Sequence, residues 1–193
     1  MKTKLRNSNQ GFTIIEVLIV LAIAGLILAI VFLAVPQLQR NSRDNQRQNV
    51  GTRLAAELNT YSGNNQGSFP FTGITATTPA GAQLCTSIGV PKGCNDFWSR
   101  YVNPTGTPPG VNTVDPTTGN AMTLRVFISA AAGTIPVAQW QIGNPYLAAG
   151  SSCNGDASYT ASTTSAANVA SAKRFALFIP LDRSNTFYCV DNG

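Results

Sequence analysis

The groups in this chain that could do chemistry are few, and their placement is uneven. There is no histidine among the 193 residues, which removes Ser-His-Asp and Cys-His nucleophilic machinery and any zinc site that needs imidazole. No Walker A loop or G-x-G-x-x-G turn is present to cradle a phosphate. Two features are left. One is Glu16, the single ionisable residue between Phe12 and Val35 in GFTIIEVLIVLAIAGLILAIVFLAVP. The other is a set of four cysteines, Cys85, Cys94, Cys153 and Cys189, all in the C-terminal two-thirds of the chain. A third stretch, VDPTTGN, offers Asp115 and Asn120 as oxygen donors for calcium, but it lacks the density of carboxylates a strong site needs. A proline-initiated turn is the better reading of it.

The cysteines follow no C-x-x-C spacing. An even number in a polar, Gly/Ser/Thr/Ala/Pro-rich region reads as two disulfides and an oxidising compartment. Four cysteines allow three pairings. The short turn-rich loop CTSIGVPKGC favours Cys85 with Cys94, leaving Cys153 with Cys189.

The elements that must position these groups divide the chain. At about 1.5 Å per residue, the 24 residues from Phe12 to Val35 form a helix longer than the ~30 Å hydrocarbon core of a bilayer. A cleaved secretory signal with its cut after Ala24 is the rival reading, but the apolar run continues for eleven residues past that point. The net charge of +5 sits at this end of the chain. From Leu54 onward six basic and six acidic residues cancel, which suits a membrane border better than a nucleic-acid-binding face. A carboxylate inside such a span is costly and is normally paired and functional.

The sequence around Glu16 resembles the N-terminus of type IV prepilins: a short basic leader, then Gly11, Phe12, Thr13, Ile14, Ile15 and Glu16, then the apolar run. The resemblance is specific from residue 4 to about 35, fades to about Tyr61, and is only architectural beyond. It implies that a membrane prepilin peptidase cuts after Gly11 on the cytoplasmic side and methylates the new N-terminal Phe12. It implies too that Glu16, the fifth residue of the mature chain, pairs with the N-terminal amine of a neighbouring copy as a filament grows. In apolar surroundings an unpaired charge is strongly penalised, so such a pair favours subunits in register. Many type IV pilins carry a helix-distorting proline at the twenty-second mature position. Leu33 stands there, with Pro36 three residues on and Gly25 earlier.

Beyond Pro36, Val50, Leu54, Leu58 and Tyr61 share a helix face that should pack on the remainder of the chain. Arg40, Arg43 and Arg47 share another. This collar has two readings: a surface for acidic lipid headgroups or DNA, or a solvated face partly paired with Asp44, and the second is favoured. Polar and glycine punctuation at 62–67 ends the helix. Residues 122–131, 135–142, 174–181 and 186–190 read as strands, with the first two pairing antiparallel through 131–134 and the last two through 182–185.

The fold expected is α+β: a long N-terminal helix packed on a small antiparallel sheet. The parts are a leader at 1–11, a transmembrane or filament-core half-helix at 12–35, an amphipathic half at 36–61 and an extracytoplasmic head at 62–193. Lys2, Lys4 and Arg6 place the N-terminus inside, and the arginine collar argues the other way. The cysteines and the resemblance decide for N-terminus in and head out. The function expected is that of a non-enzymatic pilus subunit, without cofactor or metal. Its partners are the prepilin peptidase, copies of itself, the pilus assembly machinery and, before assembly, the membrane. Two alternatives stand: a pseudopilin or minor pilin of a secretion or DNA-uptake machine, and a single-span anchor presenting a binding head that does not polymerise. Nucleic acid as a partner is left open.

Overall fold

The computed structural model describes residues 11–71, 74, 83–85, 92–102, 111, 113–128, 133–134, 141–155, 158–161, 173–183 and 186–193. The chain forms two compact units, Met1–Gln39 and Arg40–Gly193. A single helix, α1 (Ile14–Asn64), contributes its first part to one unit and its second part to the other.

In the first unit the helix is exposed all round: every described residue up to Arg40 is accessible, including Phe12 at 90% and Leu33 at 79%. This part of α1 is long and apolar enough to cross a membrane. Pro36 lies inside the helix, where its ring nitrogen has no hydrogen to give the carbonyl four residues back.

In the second unit the same helix becomes one-sided. Asp44, Arg47, Val50, Gly51, Leu54, Ala55 and Leu58 are buried, at spacings of three and four that place them on one face. That face packs on a mixed sheet. In chain order the further elements are β1 (Gln83–Leu84), α2 (Lys92–Phe97) running into a π-helical turn at Trp98–Val102, β2 (Arg125–Ile128), β3 (Gly133–Thr134), β4 (Tyr146–Ala149), β5 (Ser151–Cys153), β6 (Ser158–Ala161), β7 (Phe175–Pro180) and β8 (Phe187–Asp191). The main sheet has the order β1-β2-β4-β7-β8, and a smaller one has the order β3-β6-β5. Strand β7, FALFIP, is buried along its whole length because both of its faces are covered. Leu177 and Ile179 join the core under α1, with Leu54, Leu58, Phe71 and Phe97, whereas Ala176 and Phe178 join a second cluster with Phe127 and Tyr146.

The α+β class and the packing of α1 on a small sheet match the sequence reading. So does the antiparallel pairing of β7 with β8, registered from Ala176↔Asp191 to Pro180↔Phe187. The sheet is mixed, however, and not antiparallel throughout: β2 runs parallel to β4, with Arg125 opposite Tyr146 and Ile128 opposite Ala149. β2 is paired by β1 at Arg125 and Val126 and by β4 along its length, and the expected hairpin of 122–131 with 135–142 is not seen among the described residues. Residues 135–140 lie outside the described residues, and Gln141–Ile142 is not strand. β4 escaped the sequence reading because YLAA is short and half alanine.

Candidate functional site

The first candidate site is the exposed start of α1. Thr13 precedes the helix, and its carbonyl accepts the first helical bond, from the Val17 amide at 3.4 Å. Three residues on, the Glu16 carboxylate turns back. Its Oε2 accepts from the Thr13 amide at 2.9 Å and from the Thr13 hydroxyl at 2.7 Å, while Thr13 Oγ1 accepts from the Glu16 amide at 3.4 Å. This is a capping box, in which two orphan donors of the first turn are satisfied reciprocally. The arrangement aims the carboxylate at the Phe12 end of the chain. Thr13 was missed as a site residue, although its T-x-x-E spacing to Glu16 is plain in the sequence. Gly11 and Phe12 lie outside the helix and are exposed just before this turn. Of the leader expected at 1–11, residues 1–10 lie outside the described residues.

The second concentration of charge lies in the other unit, where the sequence reading expected a solvated face. Arg47 is fully buried. Its Nε donates to Asp115 Oδ2 at 2.8 Å, its Nη1 to Asp182 Oδ1, and its Nη2 to Thr117 Oγ1 at 2.7 Å. Asp44 lies 3.6 Å from the same guanidinium and accepts the Asp182 amide at 2.6 Å. Arg43 reaches Asp182 from the rim of the cluster. The collar is therefore not a solvated face at Arg43 and Arg47. Arg47 inserts between Asp44 of its own helix and two carboxylates supplied by distant loops, and the pairing with those loops is one that helix periodicity alone does not reveal.

Burial works against the Arg47 charge, but the hydrogen bonds it donates to Asp115 and Asp182 outweigh it and hold the guanidinium more firmly protonated than usual. Burial likewise pushes Asp115 and Asp182 up. The Arg47 hydrogen bond on each, with the Thr118 and Thr117 amides on Asp115 and Arg43 on Asp182, brings both below the usual carboxylate range. Asp115 also organises its own turn: its Oδ1 accepts the Thr117 and Thr118 amides at 2.9 Å each, and an isolated bridge pairs Val114 with Ala121. Gly143, at φ +90°, lets the chain pass where an added Cβ would lie 3.0 Å from the Asp115 carboxyl carbon. The oxygens considered for calcium on Asp115 thus have an internal cation and two amides. Among the described residues no group of three or more His, Cys, Asp or Glu gathers as a metal site.

The cysteines are joined as Cys85–Cys94 and Cys153–Cys189, with Cα–Cα separations of 5.1 and 6.0 Å. The first lies in the core under α1. The second ties β5 of the small sheet to β8 of the main sheet. The aromatics Phe97 and Trp98 are buried core residues, and Tyr101 is half-buried against Tyr61.

Residues 6–32 match the family model described as the prokaryotic N-terminal methylation motif. The matched segment contains Gly11, Phe12, Thr13 and Glu16 and most of the apolar run, and it is consistent with a type IV pilin-like prepilin. The motif is structural, not catalytic, and implies processing by a prepilin peptidase. No curated protein and no solved structure matches the chain.

Proposed function

We propose that this chain is a structural subunit of a type IV pilus. The leader is removed after Gly11 on the cytoplasmic side, and the new amine of Phe12 is methylated. The apolar part of α1 first spans the cytoplasmic membrane with the N-terminus inside and the head outside. It then leaves the bilayer for the core of a surface filament built from copies of the same chain. In that core Glu16 pairs with the Phe12 amine of a neighbouring copy.

The observation that carries this reading is the conjunction of the methylation motif with a lone carboxylate on a helix exposed all round. Among the described residues, the Glu16 carboxylate hydrogen-bonds only Thr13, in its own first turn. Cleavage after Gly11 creates a cation one turn away, at the end toward which the carboxylate already points. A charge pair in surroundings that strongly penalise an unpaired charge supplies both attraction and register.

Intact mass and N-terminal sequencing of the protein from native membranes and from sheared surface material test the reading. A chain beginning at methylated Phe12 and recovered from the sheared fraction is the expected result. A processed chain confined to the membrane fraction favours a pseudopilin or minor pilin instead. A chain beginning at Met1 removes the amine that Glu16 is meant to meet and leaves a single-span anchor.

A further inference from the structure

One oxygen of the ionic cluster is left over. Asp44 is only 5% exposed, and its Oδ1 accepts the Asp182 amide at 2.6 Å. Its Oδ2 is also buried and accepts from no donor. A buried carboxylate oxygen without a donor is costly, and native sites normally supply one. Arg183 Nε stands 4.0 Å from Oδ2, beyond hydrogen-bond length. Its guanidinium is held there by a second contact, from Nη2 to Asn41 Oδ1 at 2.8 Å.

Asp44 and Arg183 both line a cleft of about 450 Å³ between α1 and the start of β8, a size within the range of small-molecule sites. Asn45 and Gln48, one turn apart on α1, add side-chain amides, and Leu181 and Tyr188 add apolar surface. We infer that this cleft binds a neutral polyhydroxylated ring, a saccharide, with one of its hydroxyls between Asp44 and Arg183.

The charges select for neutrality. Asp44 and Arg183 are the two charged residues that line the cleft, and their signs are opposite, so a lone cation or anion is repelled by one of them. A hydroxyl donates and accepts at once: it gives its proton to Asp44 Oδ2 and accepts from the Arg183 guanidinium. Water does the same and is the rival occupant. The rest of the cleft favours something larger. Each amide of Asn45 and Gln48 is both donor and acceptor, as further ring hydroxyls require, and Leu181 with the Tyr188 ring offers a surface to the C–H face of a pyranose. The Arg183 side chain is 64% exposed and is free to swing aside as the ring enters. This inference goes beyond the filament reading and does not depend on it, because a saccharide-binding head serves a pilus subunit and a membrane anchor alike.

The full-length, isotope-labelled chain, held in a detergent without a sugar headgroup, tests the assignment by NMR titration. The probes are glucose, galactose, mannose and N-acetylglucosamine, each taken to about 50 mM so that a Kd of about 1 mM is measurable. Methylammonium and acetate serve as ionic probes. At least one sugar is expected to shift the side-chain amides of Asn45 and Gln48 and the backbone amide of Tyr188. Its binding should weaken about tenfold in Asp44→Asn, the loss expected when a hydrogen bond to a charged group is removed. It should weaken too in Arg183→Ala, an exposed substitution that decides the matter if Asp44→Asn fails to fold. Sugar shifts of wild-type strength in a folded Asp44→Asn chain, or in Arg183→Ala, place the sugar elsewhere and overturn the assignment. Shifts with methylammonium or acetate but with no sugar overturn it in favour of an ion site. No shift with any probe overturns it as well and leaves water as the occupant.

Discussion

The two units of this chain treat charge in opposite ways. In Met1–Gln39 one carboxylate stands among exposed aliphatic side chains, and its only hydrogen-bond partner among the described residues belongs to its own first turn. In Arg40–Gly193 a fully buried guanidinium meets carboxylates from the turn around Asp115 and from the end of β7, so the cluster closes on itself. Apolar side chains divide the same way. Val50, Leu54 and Leu58 are buried by the chain's own sheet, while Ile14 to Val35 are covered by nothing the described chain provides. Where a chain supplies its own partners, a charge is part of the fold. Where the described residues do not, a partner can only come from elsewhere, and that asymmetry separates the exposed N-terminal unit of this molecule from its folded one.

The strongest way to break the comparison is Glu16→Ala. If the carboxylate serves only an external partner, filaments should be lost almost completely, while membrane insertion and the unfolding midpoint of the head stay at wild-type values. Electron microscopy of sheared material, membrane fractionation and thermal unfolding of the full chain measure the three. A head that loses stability in Glu16→Ala would show that the two units are not energetically separate.

Arg47→Met should have the reverse profile. Removing one member of a buried ion cluster costs roughly 3–5 kcal/mol, because the group left behind is buried and unpaired. Asp115 would lose its arginine, whereas Asp182 would keep Arg43. Denaturant unfolding of the full chain reads the loss, and a cost below about 1 kcal/mol would mean that Asp115 finds solvent or another partner.

Acid should sharpen the same contrast. Asp115 and Asp182 are held below their ordinary range by Arg47, and their folded-state values lie below their unfolded ones. Their contribution is complete above the unfolded value of about 3.9 and is lost as pH falls through the depressed folded values. Arg47 is shifted upward from an already high value and adds no pH dependence in the accessible range. Head stability measured against pH should fall below about pH 4. That fall should be smaller in Asp115→Asn, from a lower plateau.

The comparison also explains what could be read from the sequence. The N-terminal methylation motif and the long apolar helix were legible because their signals are local: a glycine–phenylalanine junction, a carboxylate five residues on, and an apolar run without interruption. The stripe of Val50, Leu54 and Leu58 was legible too, since helical periodicity is a short-range signal. The ionic cluster was not. Arg47 meets Asp115 and Asp182 across separations of 68 and 135 residues, and no spacing rule links them. The parallel pairing of β2 with β4 escaped for the same reason, as did β4 itself, whose four residues are strand because their neighbours are. Thr13 is a different kind of miss. Its T-x-x-E spacing to Glu16 is a local signal for the capping box that the helix start forms.

That bond sets the smallest effect. Thr13→Val keeps the shape of the side chain but removes the hydroxyl that donates to Glu16 Oε2 and accepts from the Glu16 amide. Loss of such a cap costs about 1 kcal/mol locally, which corresponds to about a fivefold rise in amide exchange at the first turn of α1. The Thr13 amide keeps its own bond to the carboxylate, so fraying should be partial. Thr13→Ser, which retains the hydroxyl, should exchange like the wild type. Exchange rates across Val50 to Leu58 should not change in either variant. If they rise together with the first turn, α1 frays as one cooperative element, and the division between an end that seeks its partners outside and a head that contains its own no longer holds.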